Sequence, residues 1–112
     1  WVLPNFSEIS SNLSLEEMNL RFHLMEEENE EYREASLLEA NVEILDSFAD
    51  QLYVLFGTIN AHGMQNIIEE AFNRVHLNNM TKIGPDGKVI RNAAGKILKG
   101  PDFVPVDLSD LL

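Results

Sequence analysis

The stretch LMEEENEEYREA, Leu24 to Ala35, decides how the chain folds. It reads as helix, yet its glutamates stand where a helix should be dry. At about 100° per residue, Leu20, Leu24, Glu27, Glu28, Glu31 and Ala35 share one narrow stripe, with Glu26, Glu30 and Glu34 to one side. Those three belong to a solvated face. The three on the stripe do not, because burying a bare carboxylate is costly unless the charge is paired. Arg21 and Arg33 are too few to neutralise so many facing acids. A hard divalent cation does so naturally, held by carboxylates, retained waters and a ligand's phosphates. The stripe therefore predicts a magnesium site, with manganese as the substitute.

Outward from this stretch the helix boundaries follow. In LSLEEM, Ser14 is a good N-cap, Glu17 completes a capping box, and Leu13 with Met18 can form the hydrophobic staple. This predicts a helix over about 14–35. SLLE, Ser36 to Glu39, repeats the capping-box pattern and predicts a break and a second start. From there Leu45, Phe48, Ala49, Leu52, Phe56 and Ile59 hold helical spacing over 39–62, and Gly63 is placed to stop the helix. Gly57 inside it costs about 1 kcal/mol against Ala, so close packing or a substrate is expected to approach there. A third helix fits 65–77, with Ile68, Ala71, Phe72 and Val75 inward. The remainder, 78–112, is rich in Gly, Pro and Lys. Two β-prone pieces flank the turn NAAG and predict a short hairpin or an extended arm.

The second helix carries an acid stripe of its own, Glu43, Asp46 and Asp50, with Ser47 between them. Beyond Asp50 the run LYVLF is apolar almost all round, so this helix is expected inside a bundle with its acids turned inward. The fold predicted is all-α: an antiparallel helical bundle with a C-terminal arm, one domain over 1–112, completed by a homodimer or homotetramer.

Composition narrows the function. With 112 residues and 45% hydrophobic content the chain suits one modest domain. There is no cysteine, hence no disulfide framework and no cysteine-based zinc site. No apolar run approaches a membrane span and no signal-peptide pattern opens the chain, which makes a soluble cytoplasmic protein the default. The net charge of −11, from 19 acidic against 8 basic residues, argues against nucleic-acid polymers and anionic membranes. A phosphate-bearing ligand would need a metal to offset that repulsion. Other metal chemistries fit poorly. None of His23, His62 and His76 has a Glu three residues before it, as a di-iron bundle requires. PDGK lacks the alternating oxygen ligands of an EF-hand, and no Gly-rich phosphate loop or nucleophile elbow occurs.

The residues EENEE, Glu27 to Glu31, resemble the EExxE element of the all-α nucleoside triphosphate pyrophosphohydrolases. This is the MazG-type superfamily, which also holds dimeric dUTPases and phosphoribosyl-ATP pyrophosphohydrolase. DSFADQLYVLFGTINAHG resembles its second element, and the segment from Val75 to Pro105 resembles the tail of the phosphoribosyl-ATP-pyrophosphohydrolase-like branch. The resemblance implies antiparallel helices assembling as dimers or tetramers, with acids of two helices holding magnesium. It also implies cleavage of a nucleotide between the α and β phosphates, giving a monophosphate and pyrophosphate. By position, Glu27, Glu28, Glu31 and Asp50 match the metal ligands. Ser47 stands where many members carry an acid, and Asp46, still on the stripe, is the expected replacement, with Glu43 a weaker one. Glu28 is the expected general base. In the tail, Asn79, Lys82, Lys96 and Lys99 match polar positions that resemble substrate-binding residues, with Lys88 and Arg91 beside them. Ser47 also leaves room for another class of function, a nucleotide-binding or assembly domain that is catalytically weak.

Overall fold

The computed structural model describes residues 13–83, 86–89, 91–98 and 103–112. Three helices make up its regular structure: α1 (Leu15–Leu37), α2 (Asn41–Ala61) and α3 (Ile68–Met80), followed by a 3₁₀ turn at Ser109–Leu111. Among the described residues no strand forms. The architecture is all-α, as the hydrophobic spacing predicts. Among the described residues no helix is long and apolar enough to cross a membrane. The chain divides into two compact units, Trp1–Asn66 and Ile67–Leu112.

The first unit is a helical hairpin. α1 starts where the cap chemistry places it, with the Ser14 hydroxyl accepting a hydrogen bond from the Glu17 amide at 3.0 Å. It ends later than the spacing suggests, because SLLE is not a helix start. Ser36 and Leu37 belong to the last turn of α1. The amides of Glu39 and Ala40 donate back to the carbonyls of Ser36 and Ala35 at 3.1 Å each, which is a Schellman stop. Its left-handed position is filled by Glu39, at φ 53°. α2 stops in the same way and on the expected residue: Gly63, at φ 71°, donates to Asn60, and Met64 donates to Ile59. Two like stops at the two helix ends thus frame α2, one written with glycine and one without.

The helices run antiparallel. Contacts ascending α1, from Arg21 to Asn29 to Tyr32, meet α2 in descending order at Thr58, Gln51 and Phe48. The seam on α1 follows Arg21, Leu24, Glu28, Tyr32 and Ala35, all partly or fully buried. This corrects the dry stripe read from the sequence. Leu20, Glu27 and Glu31 lie at its edge and are exposed, because a helix that meets a single partner buries a narrow seam rather than a broad face. The apolar run LYVLF is likewise not enclosed within the chain: Leu52, Tyr53, Leu55 and Phe56 are all exposed. Ala35 is the one buried hydrophobic side chain among the described residues.

In the second unit, α3 begins at Ile68 and continues to Met80, displaced by three residues from the predicted 65–77. Gln65 to Ile67 form a turn instead. Arg74 binds the C-terminal 3₁₀ turn through two bonds to the Asp110 carboxylate, at 2.6 and 2.9 Å, and reaches Glu70 at 3.0 Å. The NAAG segment makes the predicted turn, with Asn92 Oδ1 accepting from the amides of Ala94 and Lys96. Isolated antiparallel bridges join Ile83 to Val89 and Arg91 to Ile97.

Candidate metal centre

Antiparallel pairing sets Glu28, one turn from Leu24 in the seam of α1, level with Asp50 on α2. Glu31 stands three residues along α1 and therefore on nearly the same face as Glu28. Each of the three offers a carboxylate oxygen, and these atoms lie within 4.8 Å of one another. Glu28 is half-buried, as is Asp50, and Glu31 is exposed at the rim.

Electrostatics mark Glu28 as the strained member. Its carboxyl is pushed up to about 7, first by burial, then by a hydrogen bond with Glu31, then by the charges of Glu31, Asp50 and Glu27. Its Oε2 is buried and has no hydrogen-bond partner among the described residues. A buried acceptor left unsatisfied beside two further carboxylates fits a cation, which supplies the missing partner and cancels the repulsion at once. The donor set is all oxygen, which suits magnesium or manganese and not a thiolate-seeking metal.

The remaining sequence candidates are placed as follows. Glu27 is exposed and outside the three-oxygen group, though its charge reaches Glu28. Asp46 is exposed and lines a groove of about 340 Å³ with Glu31, Glu34 and Glu43. Ser47 is buried, at 3% exposure, and its hydroxyl donates to the Ile44 carbonyl at 2.7 Å. It fills the seam and offers no charge. In the second unit, the Asn79 carbonyl accepts from the Lys82 amide at the end of α3, and Lys82 Nζ lies 5.9 Å from the centre of the Phe103 ring. Lys96 is exposed in the NAAG turn. Lys99 lies outside the described residues.

One residue at the seam was missed by the sequence reading as anything but a weak counter-charge. Arg21 Nε donates to Thr58 Oγ1 and its Nη2 to the Val54 carbonyl, both at 3.0 Å. The signal that could have found it is Gly57. A methyl group there would stand 2.7 Å from Arg21 Nη2, so the glycine marks where the guanidinium lies. Of the two explanations offered for Gly57, close packing is the one this contact supplies.

A family model described as phosphoribosyl-ATP pyrophosphohydrolase matches residues 5–79, more than half of the chain. No curated protein and no solved structure matches.

Proposed function

The chain belongs to the phosphoribosyl-ATP pyrophosphohydrolase family, and from that premise we propose that it hydrolyses a nucleoside triphosphate, or a phosphoribosyl-ATP-like nucleotide, between the α and β phosphates with magnesium bound. The observation that carries this reading is the convergence of Glu28, Glu31 and Asp50, with Glu28 Oε2 buried and unpartnered. These three residues would hold the metal. When bound, magnesium supplies charge for the phosphoryl oxygens and activates water. Glu28, kept ionised when the cation is bound, is the proposed acceptor of the attacking water's proton. Asp46 and Glu27, at the margins of the cluster, would add negative charge that draws cations in. Asn79, Lys82, Lys96 and Lys99 are proposed as the substrate's polar contacts.

Ser47 favours a second reading. Where an acid would strengthen the cluster, its hydroxyl is committed to the Ile44 carbonyl. A nucleotide-binding or assembly domain with weak catalysis would tolerate that substitution. Pyrophosphate release, measured with and without magnesium across common and damaged nucleotides, separates the two. Release that is abolished by EDTA supports the hydrolase. Nucleotide binding with no release supports the second reading, and full hydrolysis in excess EDTA would contradict the metal centre itself.

A further inference from the structure

Arg21 is a half-buried guanidinium that the metal centre does not use. Both of its hydrogen bonds go to neutral oxygens, the Thr58 hydroxyl and the Val54 carbonyl, and among the described residues Nη1 makes none. It forms no ion pair there, although the chain carries 19 acidic residues. A half-buried guanidinium without a counter-charge is suited to an anion that arrives with a ligand.

Its position relative to the carboxylates follows from the helices. Arg21 precedes Glu28 by seven residues on α1, and Gly57 follows Asp50 by seven on α2. Seven residues make two turns, about 10 Å of helix, and they return to nearly the same face. The guanidinium against Gly57 and the carboxylates of Glu28 and Asp50 therefore occupy two levels of one seam. Gly57 is what makes room for the guanidinium, since any side chain there would displace Nη2.

We propose that Arg21, its guanidinium seated against Gly57, binds a phosphate group of the substrate beyond those at the metal centre. This rests on the pyrophosphohydrolase reading above, and it adds to it a second anchoring point with a fixed spacing. The shared chemistry is a phosphate dianion. Its source is either the terminal phosphate of the triphosphate or a phosphate elsewhere on the nucleotide.

The test compares wild type with Arg21→Gln, Gly57→Ala and the charge control Arg33→Gln. Tripolyphosphate binding is measured by calorimetry with magnesium present, manganese binding by electron paramagnetic resonance, and melting by circular dichroism. Gly57→Ala guards against loss of fold, since alanine favours helix over glycine. Arg21→Gln and Gly57→Ala should weaken tripolyphosphate by roughly 10- to 100-fold, leave manganese binding intact, and raise KM far more than they lower kcat. Arg33→Gln should do none of this. If a nucleoside diphosphate loses as much affinity as the triphosphate, the bound group is not the terminal one and the source is a phosphate elsewhere. Unchanged affinity for tripolyphosphate and for nucleotides in both variants would overturn the proposal and leave Arg21 as a tie between the helices. A wild type that releases no pyrophosphate yet binds tripolyphosphate through Arg21 would defeat the hydrolase reading while supporting this one.

Discussion

A single carboxylate, Glu28, carries most of the information at the residue scale. Its folded pKa of about 7 stands above the ordinary 4.5, so the folded chain holds a proton that the unfolded chain releases. By linkage, stability is then fully present below about pH 4.5 and is lost as pH rises through about 7. Wild type in EDTA should therefore melt lower at pH 8 than Glu28→Gln, and the two should converge at pH 5. A difference independent of pH would mean that Glu28 is not charge-strained. Magnesium should erase the difference by favouring the ionised form. Glu31 makes the companion case. Glu31→Gln removes one repelling charge, so the metal-free protein should melt at the same or a higher temperature while magnesium affinity and turnover fall sharply. Glu34→Gln, exposed and outside the cluster, should leave metal affinity and turnover unchanged. Equal, near-normal activity for both variants would return Glu31 to the solvated face. The sequence made Glu28 legible because a carboxylate on an apolar stripe conflicts with burial, whereas the exposed Glu31 and Asp50 of the second helix join it through the pairing of the helices. It could not separate them from Glu27 and Asp46. That distinction depends on how one helix meets another, and a register of contacts is not written in helical periodicity alone.

Helix ends are where local sequence chemistry succeeded and failed within one hairpin. Ser14 and Gly63 act as caps because each residue type supplies what its position needs, an acceptor in one case and freedom at positive φ in the other. The break between α1 and α2 was legible, but its form as a Schellman stop was not, because Glu39 occupies the position that glycine usually signals. SLLE also imitates a start. The backbone at Glu39 carries a strain of about 1–2 kcal/mol for an L-residue with a side chain. Glu39→Gly should recover part of it, net of the extra freedom glycine gains when unfolded, and stabilise the hairpin by about 0.5–1 kcal/mol. A thermal melt in EDTA at low salt checks this. No rise, or a fall, would show that the Glu39 side chain contributes something the backbone geometry does not reveal. Pro should be far worse at the same position, since its ring fixes φ near −65°.

At the scale of the whole molecule the question is what covers the hairpin. On α1, Leu15, Met18, Phe22 and Met25 fall within a quarter-turn of one another, and on α2 Phe48, Leu52 and Leu55 do the same. All seven are exposed, and Phe22, Met25 and Leu55 line one groove of about 500 Å³. Glu31, Glu34, Glu43 and Asp46 line the other groove, and Glu26 and Glu28 are the acids that line the first. A lone pair of helices cannot enclose seven such side chains, and water penalises the exposure at about 25 cal/mol per Å². A second copy of the chain can cover them, giving the antiparallel bundle anticipated from the helix count, with its strongly negative grooves kept apart. We expect light scattering at micromolar concentration to report at least two chains. Phe22→Glu combined with Leu55→Glu should shift the mass toward one chain and lower the melting temperature. Leu20→Gln, on the opposite flank of α1, should leave the assembly intact. A strictly monomeric wild type would refute the arrangement, because the exposed apolar flank would then persist in water with nothing against it.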